Sequence, residues 1–205
     1  MKPPRRTVLD AKRIFDLGVS GVGIVLTSPL LAVIALLIRL DTAGPSIFRQ
    51  ERVGLDGRLF RIHKFRSMSV VHDGRPVSAF DDARVTRVGR FLRQSKLDEL
   101  PQLIDVFTGQ MSLVGPRPEV PKYVALWPAE ARRQILSVRP GMTDPASIAL
   151  RNEADELATI ADKEKHYVEV LLPRKVAMYL DYVNTRGFTC DLKILARTLV
   201  VVVRG

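Results

Sequence analysis

Between Leu17 and Ile38 the chain carries 22 residues without a charged side chain, long enough to cross the ~30 Å hydrocarbon core of a bilayer as a helix. Pro29 stands near the middle of this segment, directly after Ser28. Proline removes one backbone donor and crowds the preceding turn, while a serine hydroxyl can bond back to a carbonyl one turn earlier and help a helix bend. Each half then reaches only about 16 Å at 1.5 Å per residue. Lys2, Arg5, Arg6, Lys12 and Arg13 precede the segment, and Arg39, Arg49, Arg52 and Arg58 follow it, so both flanks read as cytoplasmic. The expectation is a re-entrant helix-break-helix hairpin that enters and leaves by one leaflet, with Ser28 and Pro29 as the membrane break. An ordinary span or a buried core helix is the alternative. A signal peptide fits poorly, because the apolar run is too long and ends at Arg39 rather than at a small-residue cleavage site.

The chain has 205 residues, one cysteine (Cys190) and a formal net charge of +10. That length suits one domain plus a membrane element, and a single cysteine excludes a disulfide within the chain. The positive charge calls for an anionic partner. Acidic lipid and phosphorylated small molecules fit best beside an apolar hairpin; no nucleic acid is expected, since no zinc-finger, homeodomain or RNA-recognition signature is present.

The fold class expected is α+β and mainly helical, divided into a basic arm with the membrane hairpin over 1–40 and a cytoplasmic catalytic domain over 41–205. Ile47 to Val53 and Leu59 to Phe65 flank Asp56-Gly57, a dipeptide suited to positive φ, and predict a small β-hairpin. Val70 to Asp82 reads as a polar loop. Thr86 is placed to cap a helix from Arg87 to about Gln94, and a second helix is predicted from near Asp98 to Phe107, with Leu100, Leu103, Ile104 and Phe107 on one face and Gly109 at its end. Val114 to Pro121 is too rich in proline for regular structure and presents Arg117 on a stiff loop. Arg139-Pro140-Gly141 reads as a second tight turn, and Asp144-Pro145 as an N-cap with proline at the first helical position. The tail is helical: Pro173 opens a helix through Asn184, and Leu192, Ile194, Leu195, Leu199 and Val200 to Val203 form an apolar surface beside Lys193, Arg197 and Arg204. That pattern suits an interfacial amphipathic helix or one docked on the core.

Asp98-Glu99 opens the second predicted helix. Helix capping is the plain reading of two acidic residues there. The surroundings favour chemistry instead, because Arg84, Arg87, Arg90, Arg93 and Lys96 lie upstream and Arg117 follows on its loop. A carboxylate among arginines is held ionised, can ligate a hard divalent cation or attack phosphorus, and stands beside side chains that grip phosphate oxygens bidentately.

Several motifs in this order resemble those of the monotopic phosphoglycosyl transferases, bacterial sugar transferases that start glycoconjugate assembly. They are Lys12-Arg13-Ile14-Phe15-Asp16, Ser28-Pro29, Lys64-Phe65-Arg66-Ser67-Met68, Leu97 to Leu103, Met111 to Pro118, and Arg139-Pro140-Gly141. The resemblance implies transfer of a sugar 1-phosphate from a UDP-sugar to a membrane polyprenyl (undecaprenyl) phosphate on the cytoplasmic face of the bacterial inner membrane, with release of UMP. It implies that Asp98 is the nucleophile that forms an acyl phosphate and touches Mg2+, with Glu99 as a supporting acid/base or metal-shell residue. Arg117 and Arg151, and with them Lys64 and Arg93, would position phosphates. Where the family often reads Gly-Trp-Ala-Gln after the Arg-Pro-Gly turn, this chain has Asp144-Pro145-Ala146-Ser147, which leaves the donor sugar open. It also has Asp105 where asparagine is common and Gln110 where an acidic residue is common.

His63, His72 and His166 lack metal-ligand spacing and read as structural or surface residues. Trp127, Tyr167, Tyr179 and Tyr182 read as core residues, with interfacial anchoring as the alternative. No Rossmann or P-loop glycine pattern is present, and whether the chain forms a homo-oligomer stays open. A non-catalytic basic protein of the membrane surface is the competing function, and it would have no need of Asp98-Glu99 beside Arg117.

Overall fold

The structure, a computed structural model, describes residues 11–69 and 84–204. Most of the basic arm, the predicted loop at Val70 to Asp82, and His72 lie outside the described residues. Helix α1 (Ala11–Asp41) comes first and runs through Ser28 and Pro29 as one 31-residue element. This corrects the two-helix expectation, and the cause is local. Pro29 cannot donate to the carbonyl of Val25 four residues back, but the Ser28 hydroxyl donates to that same carbonyl at 2.8 Å, so the helix continues with no orphaned acceptor. Thr27 and Ser20 make similar bonds to Gly23 and Asp16 at 2.7 and 2.6 Å.

Both ends of α1 are fastened to one body. At its start, Arg13 donates to the carbonyls of Val106 and Phe107 at 2.7 and 3.0 Å, Lys12 to that of Val114 at 3.0 Å, and buried Asp16 accepts from the Leu113 amide at 3.2 Å. At its end, buried Arg66 donates to the carbonyls of Thr42 and Ala43 at 2.8 and 2.5 Å and so caps the helix C-terminus, while Ile34 and Ile38 pack with Phe65 and Leu92. The opposite face stays bare: Val22, Val25, Leu26, Val33, Leu36 and Leu40 are exposed at helical spacing.

Strands β1 (Ile47–Val53) and β2 (Leu59–Phe65) pair antiparallel with Val53 opposite Leu59, as expected, and Asp56 and Gly57 take positive φ in the turn. Helix α2 (Arg87–Gln94) is capped by the Thr86 hydroxyl, which accepts from the Gly89 amide at 2.9 Å. Helix α3 (Gln102–Phe107) starts four residues later than predicted, because Leu97–Glu99 form a separate 3-10 turn. Its buried face is accordingly Gln102, Leu103, Asp105 and Val106, and Ile104 and Phe107 are exposed, contrary to expectation. Polar Asp105 is tolerated inside because it accepts from the His63 amide and contacts the His63 ring at 2.9 and 2.7 Å.

Strand β3 (Ser112–Val114) pairs in parallel with β4 (Gly141–Thr143), a contact that joins the two turn motifs. A methyl group on Gly141 would sit 2.1 Å from the Gly115 amide nitrogen, and one on Gly115 would sit 2.4 Å from the Arg139 carbonyl oxygen. Between these strands lie α4 (Pro121–Val124) and α5 (Ala129–Ile135). After β4 come α6 (Pro145–Ala149), with Asp144 as the expected N-cap, then α7 (Glu153–Ala158) and α8 (Lys163–His166). A π-turn over Tyr167–Leu171 leads into α9 (Leu172–Thr185), and α10 (Phe188–Arg204) closes the described chain. Trp127, Tyr167 and Tyr179 share one buried cluster, and Tyr182 joins a second with Ile62, Met111 and Ile194, so all four serve the core. Helix α10 docks by Ile194 and by a 2.7 Å hydroxyl contact between Thr198 and Thr143, yet Phe188, Leu192, Leu199 and Val200 face outward.

Candidate active site

Asp98 and Glu99 lie in the 3-10 turn between α2 and α3, entered through Lys96 in a left-handed conformation at φ 57°. That backbone costs a non-glycine residue free energy, and it turns two consecutive carboxylates into different surroundings. Asp98 is buried, with 8% of its surface exposed, and its Oδ1 has no hydrogen-bond partner. No side chain caps the 3-10 turn or α3, which removes the plain capping reading. Glu99 is the opposite case. Its Oε1 accepts from Lys64 Nζ at 2.8 Å and from Arg117 Nη2, and its Oε2 accepts from Arg117 Nη1 at 3.2 Å.

The charges follow from this geometry. Burial, and then the negative Glu99, push the Asp98 carboxyl above its ordinary value against the pull of Lys64, Arg117 and Arg93. Burial works on Glu99 in the same direction, but the charges and hydrogen bonds of Arg117 and Lys64 outweigh it and hold that carboxyl well below the usual range. Arg117 is held firmly charged, first by Glu99. Lys64 is lowered by burial and by Arg117, with Glu99 opposing. One carboxylate is thus spent on fixing two cations, and its neighbour keeps a bare oxygen.

The predicted residues come together only in part. Glu99, Lys64 and Arg117 meet directly and act on the charge of Asp98, so Lys64 stands at the dyad rather than on a solvated strand face. Arg93 contributes positive potential at Asp98 while its Nε donates to Ser67 at 2.9 Å. Arg151 is exposed on the wall of an adjoining cavity of about 530 Å³, which Glu99 and Arg117 also line. The same cavity brings in Arg52, Glu119, Tyr167 and Lys175, which sequence reasoning did not single out. Glu119 had a readable signal, two residues beyond Arg117 on the same proline-stiffened loop. Tyr167 and Lys175 had none, because only the packing of the π-turn and of α9 brings them there.

Among the described residues no group of three or more His, Cys, Asp or Glu side chains could hold a metal ion. A magnesium ion does not require one, since it commonly takes one or two carboxylates and completes its octahedron with water and substrate phosphates. The unpartnered Oδ1 of Asp98 fits that arrangement, whereas both Glu99 oxygens are already engaged.

The family described as "Bacterial sugar transferase" matches residues 7–205. The chain is 39% identical over 203 residues to a UDP-glucose:undecaprenyl-phosphate glucose-1-phosphate transferase of Caulobacter vibrioides, covering 96% of this chain and 71% of that protein. It is 39% identical over 198 residues to a protein of the same description in Escherichia coli K12, covering 92% of this chain and 39% of that one. A putative undecaprenyl-phosphate N-acetylgalactosaminyl 1-phosphate transferase of Bacillus subtilis is 44% identical over 117 residues, 56% of this chain and 65% of the other. This chain thus spans most of the first relative but well under half of the second. With a family match over nearly its whole length, the chain belongs to the bacterial sugar transferase family.

Proposed function

We propose that the chain transfers a sugar 1-phosphate from a UDP-sugar to undecaprenyl phosphate in two displacements on Asp98. The observation that carries this reading is the buried Asp98 with a free carboxylate oxygen, next to a Glu99 that locks Lys64 and Arg117 beside it. In the first displacement an Asp98 oxygen attacks the β-phosphorus of the donor. The bond from that phosphorus to the bridging oxygen breaks, and UMP departs with the electron pair. In the second, an oxygen of the lipid phosphate attacks the aspartyl phosphosugar, the acyl–phosphate bond breaks, and the Asp98 carboxylate is restored. Arg117, its guanidinium fixed through its fork by Glu99, turns its remaining N–H groups and its charge to the phosphate oxygens. Glu99, held ionised with both oxygens engaged, orients cations rather than moving a proton. Magnesium, with Asp98 as its protein ligand, would supply neutralisation of the diphosphate charge.

The apolar face of α1 is read as the membrane element, with the residues from 41 onward as the catalytic body at the cytoplasmic surface of the inner membrane. Because one body holds α1 at both ends, a complete crossing would bury that body in lipid, so the proposed path enters and leaves by one leaflet. Accessibility labelling of cysteines placed at either end of α1 tests this; periplasmic labelling at either end refutes it.

A covalent intermediate makes the first displacement independent of lipid acceptor. Labelled UMP should therefore exchange into the UDP-sugar with enzyme and magnesium alone. Asp98→Asn should abolish the exchange, whereas Glu99→Gln should weaken it. Robust turnover without exchange, or an active Asp98→Asn enzyme, overturns the mechanism.

A further inference from the structure

The cavity next to the dyad is lined by two sets of charged groups. Glu99, Lys96, Arg117 and Arg151 line it, and Lys64 donates to Glu99 at 2.8 Å, an excess of positive charge suited to a diphosphate. In the second set Arg52 lies 3.7 Å from Glu119 and Lys175 2.7 Å from Glu153, so the cations and anions balance. Those groups are deeply placed: Glu119 and Lys175 are each 7% exposed and Tyr167 is 5% exposed. Burying charged pairs is often no better for stability than apolar packing of the same volume, so their presence on a cavity wall points to a ligand.

The hydrogen-bond capacity of Glu119 is also unfilled. Glu119 accepts from the Tyr167 hydroxyl at 2.5 Å and from the Val120 amide at 3.2 Å, about half of what an ionised carboxylate can accept. Lys175 meets both Glu153 oxygens at 2.8 and 2.7 Å and the Tyr167 hydroxyl at 3.4 Å, so it orients these acceptors. Arg52 Nε and the hydroxyl of Tyr123, a residue only 3% exposed, have no hydrogen-bond partner at all. A wall that offers both donors and acceptors with no net charge matches a neutral ring bearing several hydroxyls. Glu119 follows Arg117 by two residues across Pro118, so their Cα atoms are at most about 7 Å apart. That is the reach from a phosphate to the ring it carries.

We propose that Glu119 and Tyr167, with Arg52 and Lys175, form the subsite that binds a hydroxylated ring of the donor, hexose or ribose, through hydrogen bonds to its hydroxyls. The assignment rests on the transferase reading above. It is tested on the full chain in lipid nanodiscs with a set of UDP-hexoses that differ in the configuration of one hydroxyl. Glu119→Gln should raise the donor KM about tenfold or more, as expected for losing a charged acceptor to a hydroxyl, with kcat less affected and the thermal midpoint retained. Tyr167→Phe should raise KM by a smaller factor. If the ring is the hexose, discrimination among the epimers collapses while inhibition by UMP is unchanged. If it is the ribose, UMP inhibition weakens in step for every donor. Folded variants that leave donor KM, epimer preference and UMP inhibition all within about twofold of wild type overturn the subsite. Calorimetric binding of the same donors without acceptor separates the two readings. Binding that weakens in Glu119→Gln although the wild type shows no turnover defeats the transferase and keeps the subsite, whereas no binding to wild type defeats the subsite.

Discussion

Pro29 in α1 and the prolines at 116 and 118 place the same rigid ring in opposite surroundings. In α1 the ring lies on an exposed apolar face, and the carbonyl it deprives of a donor is satisfied within the helix by the Ser28 hydroxyl. In the loop after β3 the backbone is buried, and its hydrogen bonds come from a distant segment: the Gly115 amide donates to the Thr143 carbonyl at 3.1 Å, and the Gly141 amide to that of Pro116 at 3.0 Å. The first solution is local and suits lipid, where each backbone polar group must be satisfied internally. The second is tertiary and holds Arg117 against Glu99. Proline stiffens both segments, but only in the second do distant partners fix a side chain, Arg117, against another.

The contrast is broken most severely at Gly141. A β-carbon there meets the backbone of Gly115, which has no side chain to yield. Gly141→Ala is therefore expected to cost at least about 4 kcal/mol and to abolish turnover, whereas Pro29→Ala should move the thermal midpoint only slightly. Comparable midpoints for the two variants would show that the loop is not held by the β3–β4 contact.

Arg117→Lys keeps the charge and loses the fork that meets both Glu99 oxygens. A fall in kcat/KM of about a hundredfold with folding intact is expected; wild-type kinetics at saturating magnesium would remove Arg117 from the site.

The pH profile sharpens the comparison between the two carboxylates. Asp98 must be ionised to attack, and its carboxyl is raised by burial and by Glu99, so the acid limb of kcat/KM should lie above the ordinary aspartate value of 3.8. Lys64 works against that rise, so Lys64→Met should shift the limb to higher pH. Glu99 has the reverse linkage: its lowered carboxyl contributes stability above the ordinary value of 4.5, and that stability is lost as the pH falls below it. Denaturant titrations from pH 6 to 3 should therefore show a decline that is shallower in Glu99→Gln.

The smallest effect is the most local. Ser28→Ala should cost about 1 kcal/mol in lipid nanodiscs by orphaning the Val25 carbonyl, and nothing when combined with Pro29→Ala, which restores a backbone donor. Additive effects in that double-mutant cycle would refute the repair.

Much was legible from residue order alone. The apolar run, the Asp56-Gly57 hairpin and the Thr86 and Asp144 caps all depend on chemistry within a few positions of the chain, where spacing and residue type decide the outcome. The Ser28-Pro29 pair stands out for the same reason, but residue order does not reveal that the helix continues through it, completed by the Ser28 hydroxyl. Other features depend on partners far away in sequence. Arg66 caps α1, Gly115 needs Gly141, Lys64 finds Glu99, and Tyr167 finds Glu119, none of them announced by spacing. The sequence by itself determined which groups could ionise, donate or refuse a helix. Only the tertiary structure decided that Glu99 would be saturated and Asp98 left with a free oxygen, because burial and opposing charge at a carboxylate are set by whichever segments the fold brings beside it.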